Sequence, residues 1–249
     1  MPKNVVTFGK IKPMFLVPTD YISLIRQDSL DELVDQNPDV LEASERVAIE
    51  EASSYIRHRF NESKVFASVK SYSVTSSYLA GDVIQVVADQ YARKPYAVGD
   101  ICENAGLAYQ CVTAITTPEA FTSNKWQELG KNNVFFTAIV DSTGVDILDP
   151  LKFKKHDGRN PKMVQIVLDI LLYHLHSGIS PRNIPELRAV RYDGNGNKKD
   201  GESAISYLEK IQKGTITPNL PVTVDDDGVA PQEGNRPTWG YGNTLKYRY

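Results

Sequence analysis

The chain has 249 residues, enough for one large domain or two small ones and ample to bury a core. Hydrophobic residues make up 41% and charged residues 24%, which excludes a wholly disordered or fibrous chain. Twenty-eight basic against 31 acidic side chains give a net charge of −3, which argues against a protein that coats nucleic acid over its whole surface. No apolar run approaches the roughly 20 residues that span a bilayer, and the N-terminus lacks the apolar stretch of a secretory signal. Two cysteines, Cys102 and Cys111, exclude a disulfide-rich scaffold and fit a reducing compartment.

In chain order, the first stretch, to about Asn61, is helical in pattern. Thr19 and Asp20 follow Pro18 and cap a short helix through Ile25, and Ser29 caps another over Leu30 to Val34. From Pro38, Leu41, Val47, Ala48, Ala52, Tyr55, Ile56 and Phe60 recur at steps of three and four. Glu42, Glu45, Arg46, Glu50, Glu51, Arg57 and Arg59 take much of the remaining circumference, so the spacing predicts an amphipathic helix with one face to bury.

Between about Glu62 and Asp157, Val, Thr, Ser, Tyr and Phe alternate with polar residues in short runs separated by Gly, Pro and Asn, the pattern of short strands. ICENAGLAYQCV is the best hairpin candidate, and a turn centred on Gly106-Leu107 would set Cys102 opposite Cys111. Two half-buried small residues are the simpler reading of that pair than a functional disulfide, and the spacing is wrong for zinc.

Helix returns after Asn160. Pro161 suits a first helical position, Gly178 a C-terminal cap, and the residues between are apolar around most of the circumference, which predicts a central helix covered on several sides. Pro185 to Val190 reads as a short helix, and Glu202 to Gln212 as an amphipathic one stopped by Gly214. Beyond Gly214 the proline-rich, acidic sequence cannot make a core of its own. Its end carries Trp239, Tyr241, Tyr247 and Tyr249, anchors for a docking partner unless they fold back on their own domain.

No catalytic or metal constellation stands out, and the sequence reads as a non-enzyme without cofactors. His174 and His176 are two apart and diverge on a helix, while His58 and His156 have no ligand spacing. Asp193 to Asn197 opens like a calcium loop, but an EF-hand needs glycine at position six and glutamate at twelve, where Lys198 and Ala204 stand. Arg182, Arg188 and Arg191 with Lys198 and Lys199 form a modest basic stretch, either a solvated face or a contact to passing DNA.

The order of PTDYISLIRQDSLDELV, ERVAIEEASSYIRHRFN, PKMVQIVLDILLYHLHSG, RAVRYDG and ESAISYLEKIQKG resembles the head-tail connector, or head-completion adaptor, proteins of tailed bacteriophages. Arg59-Phe60, Arg191-Tyr192 and Ile211 to Gly214 carry the resemblance, which covers about 120 residues in two blocks; almost 95 residues intervene where the family has a short loop, and GNGNKKDG is a further polar insertion. The intervening stretch is similar to the small all-β modules of chitinases and other polysaccharide-active enzymes, through Tyr96, Gly99-Asp100, Tyr109, Pro118, Trp126 and Leu129-Gly130. In such modules aromatics stack on sugar rings, a role open to Tyr109 and Trp126, which could equally be core.

The fold these resemblances imply is α+β: a discontinuous α-helical bundle (residues 1–61 and 158–214), an inserted small all-β domain (62–157, with the module-like part at about 86–130) and an extended C-terminal arm (215–249). They imply a virion protein assembled in the host cytoplasm and sited in the neck, at the head-tail interface. It would form a ring, usually of twelve subunits, beneath the portal protein, contacting tail or neck proteins and, transiently, passing DNA, with no membrane partner. A glycan-binding virion protein acting through the β module is the alternative.

Overall fold

The computed structural model describes residues 14–34, 37–179, 184–194 and 203–223. Helices α1 (Pro18–Tyr21), α2 (Gln27–Leu33), α3 (Pro38–Ile56) and α4 (Glu62–Val65) open the chain, and α5 (Pro161–Ile179), α6 (Glu186–Asp193) and α7 (Ala204–Gln212) close it. Each long helix starts where an asparagine offers an acceptor to orphan backbone donors. Asn37 Oδ1 accepts from Asp39 N at 3.0 Å, and Asn160 Oδ1 from Lys162 N and Met163 N at 3.0 and 3.2 Å. Leu41, Ala48, Ala52 and Ile56 bury the inner face of α3. Ala48 and Ala52 hold nothing beyond Cβ, so α5 can lie close against them. Met163, Ile166, Val167, Ile170 and Leu171 of α5 are then buried in one apolar cluster with Phe15, Leu30, Phe66, Leu208 and Leu220.

The intervening chain forms β1 (Lys70–Ser71), β2 (Ser77–Tyr78), β3 (Val83–Val86), β4 (Ile101–Asn104), β5 (Leu107–Cys111), β6 (Trp126–Lys131), β7 (Val134–Ala138), β8 (Ser142–Thr143) and β9 (Phe153–Lys154). They make a four-stranded sheet in the order β1-β3-β7-β9, a β2-β8 pair and a three-stranded sheet β4-β5-β6. Among the described strands β1 and β3 pair in parallel and the other pairs are antiparallel. Strand alternation gives the three-stranded sheet two dissimilar faces. Ala108 and Leu129 join Ile84 and Phe136 in the cluster shared with the four-stranded sheet. Cys102, Cys111 and Trp126 join Tyr96 and Ile115 on the other side.

This architecture corrects the expected fold class. The chain is a mixed α/β protein with seven helices and three small sheets among the described residues, not a discontinuous helical bundle carrying one small all-β domain. Three of the helices, α1, α2 and α4, have only 4, 7 and 4 residues, too short to run alongside a neighbour for several turns, and α6 buries no side chain. Most strands are two to five residues long, and the β region packs around three small apolar clusters, one of which takes side chains from all three sheets.

Two further expectations shift. The β4-β5 turn is Ala105-Gly106, at φ 53° and 81°, rather than Gly106-Leu107. The register moves accordingly: Cys102 pairs with Tyr109 and Cys111 with Trp126, and both cysteines are free and buried. The expected C-terminal arm begins on the body of the protein. Leu220 is buried, Asn61 N donates to Pro221 O at 2.8 Å, and Val222 bridges Phe60. Trp239, Tyr241, Tyr247 and Tyr249 lie outside the described residues.

Candidate functional site at the junction of the two regions

The segment just before α1 ties the helical region to the sheets. Phe15 and Leu16 enter the helical core, while Val17 packs with Val69, Val83 and Phe135 on the four-stranded sheet. Val69 N donates to Met14 O at 2.9 Å, so the segment also lies against the chain entering β1.

Arg159, just before α5, holds this strap from one side, with its side chain only 2% exposed. Its Nη1 donates to Phe15 O at 2.8 Å and Asp20 Oδ2 at 2.6 Å, and Nη2 to Asp157 Oδ2 at 2.8 Å. The guanidinium also lies over the Phe135 ring, 4.8 Å from its centroid. Burial opposes the charge, but hydrogen bonds to Asp157 and Asp20 outweigh it and hold the guanidinium pKa above its ordinary value. One cation thus binds the strap, the end of the β region and the start of α5.

Glu45 holds the strap from the other side. It sits on the inner stripe of α3 between Leu41 and Ala48 and is 1% exposed. Its Oε1 accepts from Leu16 N at 2.9 Å and its Oε2 from Tyr21 Oη at 3.4 Å. Burial pushes the Glu45 carboxyl up to about 7, with the strap's hydrogen bonds opposing part of the rise. The helical pattern had placed Glu45 among the solvated residues; its position four after Leu41 and three before Ala48 was the available signal.

A second polar network joins α3, α5 and α6. Glu51 meets His174 Nε2 at 2.7 Å and accepts from Tyr192 Oη at 2.6 Å, and Tyr192 stacks on Tyr173 with centroids 3.9 Å apart. Burial would raise the Glu51 carboxyl, but its bonds to His174 and Tyr192 hold it below the usual range. His174, expected to diverge from His176 and share no metal with it, bridges α5 to α3 here.

The basic residues proposed for DNA are turned to other work where they are described. Arg191 Nε donates to the buried Asp169 at 2.7 Å, and burial raises the Asp169 carboxyl despite that pairing. Arg188 Nη2 donates to Leu24 O at 2.9 Å, and burial lowers the Arg188 guanidinium pKa. Arg182 lies outside the described residues. Arg188 and Arg191 thus each bind groups of the chain itself.

The two residues proposed for sugar stacking separate. Trp126 is 6% exposed, stacked on Phe121 at 5.7 Å and edge-on to Tyr91 and Tyr96 at 5.8 and 5.0 Å. Its ring is core and cannot lie flat on a sugar. Tyr109 is half-buried and packs edge-on against Phe121 at 5.0 Å. Chemically the cluster is quiet: burial pushes the Cys102 thiol up to about 12 and raises Cys111, so both are thiols at neutral pH.

Among the described residues no group of three or more His, Cys, Asp and Glu side chains could hold a metal ion. No helix among them is long and apolar enough to cross a membrane. The arrangement fastens segments to one another: its charged groups hold strap, sheet and helices in fixed register. Comparison with protein-family models, curated proteins and solved structures finds no match to this chain.

Proposed function

We infer that this chain is a structural head-tail connector of a tailed bacteriophage, sited in the neck, where it forms a ring beneath the portal, extends the DNA channel and offers the tail a platform. The observation that carries the reading is the shared apolar core. Side chains from Phe15 to Phe66 and from Met163 to Leu220, the two stretches that bear the connector-like motifs, pack in one cluster while the β region stands between them in sequence. Arg59, of the first stretch's Arg59-Phe60 pair, donates from Nη1 to Ile211 O at 3.0 Å, so two of the separate motifs meet in space. Arg191-Tyr192 lies on α6, where both side chains bind acids of neighbouring helices. A rigid wedge of this kind suits a closed ring, whose heterologous interfaces need a different patch on each flank.

The test is light scattering of the purified full-length chain, alone and mixed with the portal protein encoded by the same genome. A ring, or a complex of fixed stoichiometry with the portal, is expected. A chain that stays monomeric and elutes apart from the portal at micromolar concentration overturns the reading. The glycan alternative now rests on Tyr109 alone of its two residues; binding on a glycan array that vanishes with Tyr109→Ala would favour it.

A further inference from the structure

We propose that the outer face of α3 docks into the groove between α2, the end of α5 and α6 of a second copy of this chain, in a head-to-tail contact. The groove has a volume of about 560 Å³ and is lined by Leu24, Leu33, Ile179 and Leu187, with Arg26 and Glu32 among its charged residues. Its apolar wall is open to water, since Ile179 is 57% and Leu187 63% exposed. The α3 helix carries a matching ridge. Leu41, Ala48, Ala52 and Ile56 face the core, while Ala43, Val47 and Ser54 line a shallow outer surface with Arg46 and Glu50. Val40 and Val47, seven residues apart, are 38% and 52% exposed, so two turns of helix present valines to solvent on one side. Apolar residues at this spacing are what a helix lays into an apolar groove.

Charge selects the occupant and its direction. Arg26, Glu32, Asp39 and Arg46 are exposed, and none joins an ion pair among the described residues. Arg26 precedes α2 and Glu32 follows six residues on, about 9 Å along the helix. On α3 the signs reverse: Asp39 opens the helix and Arg46 follows seven residues on, about 10 Å away. With the visiting α3 parallel to the host α2, Asp39 meets Arg26 and Arg46 meets Glu32 at matching separations. Turned round, the same docking sets like charges together at both ends. Exposed ion pairs add little affinity, so the valines and the groove supply the attraction and the charges supply the register. Ridge and groove share no residue, which makes the contact heterologous. It stands on these side chains alone and needs nothing from the connector reading, to which it would add the two unlike flanks of a ring.

Sedimentation velocity of the full-length chain over a concentration series compares the native chain with Val47→Asp and Leu187→Asp, both at exposed positions. The native chain should self-associate, and each variant should do so roughly tenfold more weakly or less. An equimolar mixture of the two variants should form a dimer of one copy of each and stop there, because one ridge and one groove remain intact between them. Glu32→Arg and Arg46→Glu should each weaken association, and the variant carrying both should recover it. A native chain that stays monomeric at high micromolar concentration overturns the proposal. So does association of Val47→Asp at native strength, which would mean that the groove packs on its own copy, or a mixture of folded variants that stays monomeric. Should either aspartate unfold the chain, the charge exchange decides alone, and failure of the double variant to recover association overturns the contact. Self-association through these surfaces without portal binding would keep this contact and fail the connector reading. Portal binding by a native chain that associates no better than its variants would do the reverse.

Discussion

In the helical region, side chains from Phe15 to Leu220 share one apolar cluster, whereas the β region divides its own among a cluster around Ile84 and Phe136, one around Trp126 and a small one around Val17, Val69 and Val83. A single large core couples distant segments, so a defect anywhere in it is felt throughout. Several small cores leave the β region reliant on its turns and on a few large side chains. Between the two regions the join is ionic, through Arg159, as well as apolar, through Val17 and Phe135.

Arg159→Ala tests that join most severely. It leaves Asp20 and Phe15 O without their buried partner and should cost about 4 kcal/mol. Hydrogen exchange should rise at Val17 and Val69, on both sides of the junction. Exchange rising on one side alone would show the regions uncoupled. Leu171→Ala, at a position with no exposed surface, should cost about 3 kcal/mol and loosen α3, α5 and α7 together while β4, β5 and β6 keep their protection.

Glu45→Gln probes the strap through pH. Because the folded-state pKa is raised to about 7, the neutral carboxyl is favoured by folding. Its stabilising contribution is full below about pH 4.5 and is lost as pH rises through 7. The native chain should therefore lose roughly 2 kcal/mol between pH 5 and 8, and Glu45→Gln should flatten that dependence in thermal melts across the range. The smallest expected effect is Ala105→Gly in the β4-β5 turn, where relief of a positive φ should stabilise by up to about 1 kcal/mol without touching the helices.

The sequence was most legible where a period ran long. Pro38 and Pro161 do begin α3 and α5, and the short helices at Glu186 and Ala204 begin within two residues of their expected starts, α6 running three residues longer than expected. It was least legible where tertiary contact overrides local pattern. α1 ends at Tyr21 rather than Ile25, and α2 begins at Gln27, before Ser29. The strands β1, β2, β8 and β9 have two residues each and carry no periodicity to read. The cysteine register failed by a single turn residue, because Ala105 takes a φ usually left to glycine. At the candidate site, Arg159 and Asp20 lie 139 residues apart, and no local spacing can announce such a pair.

The connector proposal is tested most directly by an electron-microscopic reconstruction of the phage neck it postulates. The connector account predicts a closed ring of this protein between portal and tail, with outer faces of the helical region at its subunit contacts. A neck built without this chain, or with it only as an outlying decoration away from portal and channel, would contradict the account.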